Sequence, residues 1–227
     1  MSDEISRATR YGVLAGDVEH EIEIKRSRFI CYLGRVESDE VAREFVDLVR
    51  GEHRLARHHC TAWVIGPDRM LQRSNDDGEP SGTAGVPMLD ALAQFTRPGE
   101  PSPDLSDAVA VVVRYFGGVL LGAGGLVRAY SDAVSQALGR ARFATRQRMR
   151  ILALDAPHAE AGRWENELRA TGIDVLGTDY GDRSARLRLA VVDDEGERGA
   201  LEARIAALTQ GAAAPVDAGV EWVDLPA

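Results

Sequence analysis

One acidic segment of the chain, residues 74–85, has the side chains that acid–base or metal chemistry needs. Its candidate residues are three carboxylates and a small polar run, namely Asp76, Asp77, Glu79, Ser81, Gly82 and Thr83. Clustered carboxylates hold Mg²⁺ or act as acid–base pairs, and glycine-rich turns cradle phosphate. The spacing differs from that of a calcium loop, whose acids alternate before the glycine. The alternative is a solvated turn in which Asp and Asn side chains bond to the backbone.

Two adjacent histidines, His58 and His59, begin a segment of strand-forming residues. Neighbouring side chains on a strand point to opposite faces of the sheet, so this pair cannot line one pocket. It is therefore a poor zinc pair, and we expect no metal site. Either histidine is a candidate general base or a candidate hydrogen-bond donor to a phosphate group. The alternative is a core or rim histidine with satisfied hydrogen bonds.

A glycine-rich segment, residues 117–125, lies between a buried strand and a helix that we expect to begin at Leu126. Its candidate anion-binding residues and their flanking cations are Arg114, Gly117, Gly118, Gly122, Gly124, Gly125 and Arg128. Glycines let backbone amides approach a ligand, and a helix N-terminus supplies unpaired N–H donors. A bound anion would also offset the unfavourable position of an arginine in a first helical turn. The alternative is tight strand-to-helix packing, because neither a Walker A nor a dinucleotide-binding pattern is present.

Apolar periodicity predicts the elements that position these residues in the first half of the chain. Strands are expected at residues 11–14, 19–25, 28–33, 60–65, 70–73 and 108–113, and helices at 38–53, 87–95 and 126–138. Ser38 is a suitable N-cap, and Pro87 suits a first helical turn. Residues 74–85 and 96–107, rich in Gly, Pro and acids, are expected to form loops, the second on the surface.

The second half predicts the order βαββαβ, which is the ferredoxin-like signature. Strands are expected at residues 150–154, 173–180, 185–192 and 216–223, with helices at 159–170 and 197–208. We therefore predict an α+β protein of two domains, residues 1–144 and 145–227. Five arginines surround the joint, namely Arg140, Arg142, Arg146, Arg148 and Arg150. A solvated helix end or strand edge explains them most simply, with a nucleic-acid contact as the alternative.

Composition and charge limit the classes of protein to which this chain can belong. Hydrophobic residues make up 44% of the 227, and the net charge is −9. An acidic chain does not coat nucleic acid through its overall charge, so any RNA contact must be local. No apolar run approaches the length of a membrane span, and the polar start, residues 1–7, predicts no signal peptide. Cys31 and Cys60 are expected to be buried thiols, and the expected location is the cytoplasm.

Four segments together resemble the Impact-like (YigZ) family, in its bacterial two-domain form. They are residues 25–30 (Lys-Arg-Ser-Arg-Phe-Ile), 58–60 (His-His-Cys), 74–85 and 114–130. The resemblance implies an N-terminal β-α-β fold shared with a small-subunit ribosomal protein, a domain of the translocating elongation factor, and small-molecule kinases of the galactokinase type. It implies a C-terminal domain like the ferredoxin-like last domain of that elongation factor. Eukaryotic members regulate translation through a partner-binding module that we do not expect here, so their mechanism is not transferred.

Three hypotheses remain open. The first is a translation-associated regulator that binds RNA, the ribosome or another anionic partner through the glycine-rich segment. The second is an enzyme acting on a phosphorylated or nucleotide-like small molecule, with Asp76, Asp77 or Glu79 as base and His58 or His59 assisting. The third is a scaffold whose motifs only hold an unusual loop arrangement. We expect no cofactor, no membrane partner and no DNA partner.

Overall fold

A computed structural model describes residues 8–225, so the polar start, residues 1–7, lies outside the described residues. The chain divides into two compact units, one running to Thr145 and including Leu225, the other spanning Arg146–Asp224. That these units act as separate functional domains stays a prediction. No helix within residues 8–225 is both long and apolar enough to cross a lipid bilayer.

The first unit is built on one antiparallel sheet with strand order β2-β3-β6-β4-β5. Its five strands are β2 (Val18–Ile24), β3 (Ser27–Arg35), β4 (His58–Ile65), β5 (Leu71–Asn75) and β6 (Ala108–Tyr115), and a further strand, β1 (Arg10–Leu14), lies outside this sheet. The helices are α1 (Asp39–Glu52), α2 (Gly85–Ala93) and α3 (Ala123–Leu138). The central strands β3, β4 and β6 are apolar on both faces because helices cover both sides.

The two faces of the sheet carry different helices. On one face, α2 and α3 pack over alternate residues of the central strands, such as Cys60, Ala62 and Val112. On the other face, α1 packs over the intervening residues, such as Trp63 and Val111. This alternation follows from the two-residue period of a strand, and it decides on which side each candidate side chain lies.

Helix α1 begins as predicted. The Ser38 hydroxyl accepts a hydrogen bond from the Val41 amide at 3.2 Å, and Asp39 and Glu40 lie in the first turn. Helix α3, by contrast, begins at Ala123 and not at Leu126, so the predicted start was wrong. Gly124 and Gly125 are consequently helical. The sequence had favoured a loop at these two positions because glycines lack side chains. In the structure the irregular backbone ends earlier, at Gly122, whose φ is 72°.

The prediction that residues 96–107 form a surface loop was wrong at the end of the loop. Leu105, Ser106 and Asp107 are buried, and Gly12 of β1 exchanges backbone hydrogen bonds with Asp104 and Ser106. The Tyr11 hydroxyl donates to the Asp107 carboxylate at 2.6 Å. The acids of this stretch therefore satisfy buried polar groups, which an acidic loop composition does not reveal.

The second unit confirms the predicted βαββαβ order. Its elements are β7 (Phe143–Ala156), α4 (His158–Ala170), β8 (Asp174–Tyr180), β9 (Ala185–Val192), α5 (Glu195–Thr209) and β10 (Val216–Leu225). Its strands follow the order β10, β7, β9, β8, and β9 is antiparallel to both β7 and β8. Trp164 and Leu168 of α4 and Leu201 and Ile205 of α5 close its core.

Candidate functional site

The predicted residues of the first unit lie at one end of its sheet. The register pairs Arg28 of β3 with Tyr115 of β6, and Arg114 of β6 with His58 of β4. The start of β3, the start of β4 and the end of β6 are therefore neighbours. The acidic segment follows β5 and the glycine-rich segment follows β6, so the topology brings both segments to this end.

A buried ion pair joins the two segments. Arg114 Nη1 donates to Glu79 Oε1 at 2.6 Å, and the Tyr130 hydroxyl of α3 donates to the same oxygen at 2.8 Å. The side chains of Arg114 and Glu79 are only 7% and 4% exposed. A buried charge needs such partners, because desolvation otherwise costs several kcal/mol. Glu79 is thus engaged in holding Arg114 and α3 together.

The Arg114 guanidinium also lies between two aromatic rings. Its Cζ is 5.4 Å from the Phe29 ring centre and 5.6 Å from that of Phe116. Its Nε is buried and has no hydrogen-bond partner within residues 8–225. Arg114, predicted as a cation for an external anion, is therefore largely committed to Glu79 and to the aromatic pair.

The Asp76 carboxylate accepts three backbone amides of its own segment. Gly82 donates to Oδ2 at 2.7 Å, and Ala84 and Gly85 donate to Oδ1 at 3.0 and 2.8 Å. Burial alone would raise the pKa of Asp76, but the three amide hydrogen bonds outweigh it and lower the pKa. Because Gly85 is the first residue of α2, Asp76 supplies an anion to this helix N-terminus.

Asp77 ties the acidic segment to the start of β4. Its Oδ2 accepts the His59 amide at 2.6 Å, and its Oδ1 accepts Arg50 Nη2 at 3.1 Å. The backbone of Asp77 has a φ of 42°, in the left-handed region that few residues other than glycine adopt. This contact network explains how that conformation is held.

The two histidines lie on opposite faces of β4, as strand alternation requires. His58 Nδ1 is 2.9 Å from the Asp77 carbonyl oxygen, and His59 Nε2 is 3.1 Å from the His53 carbonyl oxygen. Since a carbonyl only accepts, each of these nitrogens carries a proton. Burial lowers the pKa of His59. The two side chains do not meet in one site.

The thiol of Cys60 and the hydroxyl of Tyr130 are buried beside this network. Cys60 Sγ donates to the Asp76 carbonyl oxygen at 3.0 Å, and burial raises its pKa to about 12. Burial also raises the pKa of Tyr130. Neither group is ionised near neutral pH, so neither is a ready nucleophile.

The glycine-rich segment packs closely against the turn between β2 and β3. A Cβ at Gly117 would overlap the backbone of Arg26, and the Gly117 amide donates to Ser27 Oγ at 3.1 Å. Glycine is needed here for this close approach. Most of the remaining segment is exposed, including Leu120 at 83%, and Phe116, which directly precedes the segment, is 50% exposed.

The N-terminus of α3 lacks an internal acceptor. Gly122 caps it without a side-chain hydrogen bond, and no acid lies in its first turn. The first helical bond runs from the Leu126 amide to the Gly122 carbonyl. No group that the structure describes accepts from the amides of residues 123–125, which therefore remain available to an anion.

Seven exposed cations of the first unit make no ion pair with any described residue. Four of them are Lys25, Arg26, Arg57 and Arg128, and the others are Arg54, Arg140 and Arg142. Lys25 and Arg26 form the turn against which Gly117 packs, and Arg57 directly precedes β4. Arg128 lies in the second turn of α3, because the helix begins at Ala123. Our first-turn argument for Arg128 was therefore wrong, since the helix dipole fades after one turn.

Comparison with known proteins identifies the family. The Impact N-terminal domain model matches residues 25–138, and a domain of unknown function, DUF1949, matches residues 154–212. The IMPACT family member YvyE of Bacillus subtilis is 42% identical over 85% of this chain and 84% of its own length. This chain belongs to the Impact family.

Two further relatives agree with this assignment. The IMPACT family member YigZ of Escherichia coli is 54% identical over 51% of this Impact-family chain and 54% of its own length. A solved structure titled as the crystal structure of a hypothetical protein matches with a TM-score of 0.61 at 35% identity. It covers 92% of this chain and 97% of that one. The resemblance drawn from residues 25–135 is confirmed at the level of the family.

Other predicted residues of this Impact-family chain have simpler surroundings. In the second unit, Arg148 and Arg150 pair with Asp193, and Arg146 lies 4.0 Å from Asp224. Within residues 8–225, no three His, Cys, Asp or Glu side chains converge as metal ligands. Sequence reasoning missed Tyr130 as a polar partner, because its helical spacing indicated only an apolar face.

Proposed function

We propose that this Impact-family chain is a translation-associated regulator that binds RNA, in ribosomes or free, through one end of its first unit. The binding surface consists of the α3 N-terminus, the exposed glycine-rich segment and the unpaired cations Lys25, Arg26, Arg57 and Arg128. One observation carries the proposal: the amides of residues 123–125 have no acceptor among the described residues, in the unit whose unpaired cations include Lys25, Arg26, Arg57 and Arg128.

Electrostatics supports a phosphate-bearing partner. The chain has a net charge of −9, so carboxylates outnumber cations. Cations that nevertheless have no carboxylate partner are available to an external anion. A helix N-terminus and arginine side chains are the groups that bind phosphate oxygens in nucleic-acid complexes. A local cationic surface on an acidic chain favours contact at selected phosphates over general coating.

The exposed side chains favour single-stranded RNA. Phe116 is half exposed, and its ring is 5.6 Å from the Arg114 guanidinium carbon, which holds it in position. Proteins that bind single strands stack bases on exposed aromatic rings beside a cationic groove. Leu120 adds an apolar contact on the same segment.

The enzyme hypothesis has less support, because the predicted bases are engaged by the protein itself. Asp76 holds three amides, Asp77 holds His59 and Arg50, and Glu79 holds Arg114 and Tyr130. His58 and His59 lie on opposite faces of the sheet. A general base needs a free oxygen or nitrogen within reach of substrate.

Co-sedimentation with ribosomes and ribosomal subunits across a salt series tests the proposal. The Lys25→Gln/Arg26→Gln/Arg128→Gln variant should bind more weakly, and the slope of its log affinity against log salt concentration should be smaller by about 2, as three lost phosphate contacts require. Arg114 is left unchanged, because its ion pair is buried. The matched control, Arg183→Gln/Arg186→Gln/Arg198→Gln, removes three exposed charges from the second unit and should bind as wild type. Absence of binding at low salt, or equal loss in both variants, would contradict the proposal.

A further inference from the structure

A second cationic feature lies on the opposite face of the sheet, where α1 packs. A cleft of about 280 Å³ opens between α1 and the β4–β5 hairpin. Arg43, Arg50 and Arg73 line it, with Trp63 and Asn75. Arg43 and Arg50 are seven residues apart on α1 and therefore share one side of the helix. The register pairs Arg73 with Trp63, which brings the third guanidinium to the same cleft.

Carboxylates hold the three guanidinium groups in place but occupy only some of their N–H donors. Asp39 accepts Arg73 Nε at 3.2 Å and Trp63 Nε1 at 3.1 Å, and it also accepts Arg43 Nη2. Arg50 Nη2 donates to Asp77 at 3.1 Å. Each guanidinium has five N–H donors, so most donors of the three remain for a ligand. Asp39 thus fixes two arginines beside the cleft.

The cleft presents three guanidinium groups, with their partners Asp39 and Asp77 beside it, and it carries neutral polar groups as well. Asp47 is the one carboxylate among the residues that line this cleft in the described chain, against three arginines. Asn75 Oδ1 accepts the Asp77 amide, so the Asn75 side-chain NH₂ keeps two free donors. Ser74 adds a hydroxyl at the same edge. Guanidinium groups bind phosphate in pairs of parallel hydrogen bonds, and amides and hydroxyls bind sugar hydroxyls.

We propose that this cleft binds a small phosphate monoester, of the size of a sugar phosphate. Its volume of about 280 Å³ is just below the usual range for small-molecule sites, roughly 300–1,000 Å³, which suits a ligand no larger than one phosphorylated sugar. Arg43, Arg50 and Arg73 hold the phosphate, and Ser74 and Asn75 hold the sugar. Because it lies on the α1 face, this site is separate from the proposed RNA surface.

Isothermal titration calorimetry with ribose 5-phosphate tests the site on the full chain. Ribose 5-phosphate should bind saturably, inorganic phosphate at least tenfold more weakly, and ribose not measurably. Arg43→Gln and Arg73→Gln should each weaken ribose 5-phosphate at least tenfold. These arginines are exposed, so circular dichroism should find both variants folded.

Two variants make the test specific. Arg163→Gln removes an exposed arginine of α4 that is also paired to helical carboxylates, and it should bind ribose 5-phosphate as wild type. The Lys25→Gln/Arg26→Gln/Arg128→Gln variant should do so too. No binding of ribose 5-phosphate, equal affinity for inorganic phosphate, or equal loss in Arg163→Gln would overturn the proposal.

Discussion

Helices α2 and α3 both follow glycine-containing segments at the same end of one sheet, yet their first amides have different partners. At α2 the Asp76 carboxylate accepts the amides of Ala84 and Gly85 from within the chain. At α3 the amides of residues 123–125 have no acceptor in the part of the chain that the structure describes. An anion from within the chain stabilises a helix N-terminus, as Asp76 does at α2. The absence of such an internal anion at α3 favours an external anion there.

The cations at this end of the sheet differ in the same way. Arg114 is buried and paired with Glu79, whereas Arg26 and Arg128 are exposed and make no ion pair with described residues. The acidic segment thus supports the fold, and the glycine-rich segment is the part exposed to a partner. Substitutions at this end of the sheet test this division of roles.

Glu79→Gln should destabilise the first unit by about 3–5 kcal/mol, because it leaves the buried Arg114 charge without its partner. Urea denaturation at neutral pH measures this loss in free energy of unfolding. The control Glu21→Gln breaks the exposed pair with Arg28 and should cost at most about 1 kcal/mol. Similar costs for the two variants would contradict a supporting role for the acidic segment.

Asp76→Asn should destabilise by about 1–3 kcal/mol at pH 7, because the uncharged amide cannot accept all three backbone N–H groups. The lowered pKa of Asp76 means that its contribution is complete above the ordinary value near 4 and is lost as pH falls through the folded-state value. The difference from wild type should therefore shrink below about pH 4.

Asp47→Asn is the control for that pH series, since Asp47 is exposed on α1. It should change the free energy of unfolding by less than about 0.5 kcal/mol at any pH. If Asp76→Asn stayed as destabilising at pH 3 as at pH 7, the charge of Asp76 would not be what stabilises the α2 N-terminus.

Phe116→Ala should weaken binding of a single-stranded RNA by about 1–2 kcal/mol, roughly 5- to 30-fold, because it removes one stacking surface. Fluorescence anisotropy with labelled single-stranded and duplex RNA measures the effect. Leu120→Ala removes a more exposed apolar side chain and should weaken binding less. An equal effect on duplex and single-stranded RNA would argue against stacking.

Gly124→Ala should stabilise the protein by up to about 1 kcal/mol, because glycine inside a helix is costly and a Cβ there meets no atom within 4 Å. Gly124→Asp should stabilise by a similar or slightly larger amount, since it places an acid in the first turn of α3. Thermal unfolding of the two variants measures both effects. A loss of stability in Gly124→Asp would contradict the account of the α3 N-terminus.

Sequence patterns predicted the order of the elements well, because apolar periodicity, the Ser38 cap and the glycine and proline breaks are local signals. The partners of Asp76 were not predictable in this way. Its carboxylate reaches amides six to nine residues ahead, and only the path of the loop brings them together. The same holds for Glu79, whose partners Arg114 and Tyr130 lie 35 and 51 residues away.

The arginine cleft was missed for a related reason. Arg43 and Arg50 read as ordinary solvent-facing positions of an amphipathic helix, and Arg73 as part of a hairpin. Their convergence depends on α1 packing over one face of the sheet and on the register of β5. The predicted start of α3, three residues too late, had another cause. Consecutive glycines are typical of loops, so Gly124 and Gly125 indicated a loop although both are helical.

The most direct test of the central claim is anisotropy of a single-stranded RNA with Gly124→Asp and Gly124→Ala side by side, across a salt series. We predict that Gly124→Asp weakens binding at least tenfold, because its carboxylate repels phosphate at the α3 amides, while Gly124→Ala binds as wild type. Equal affinity of the two variants, both folded, would contradict the claim that the α3 N-terminus holds an RNA phosphate.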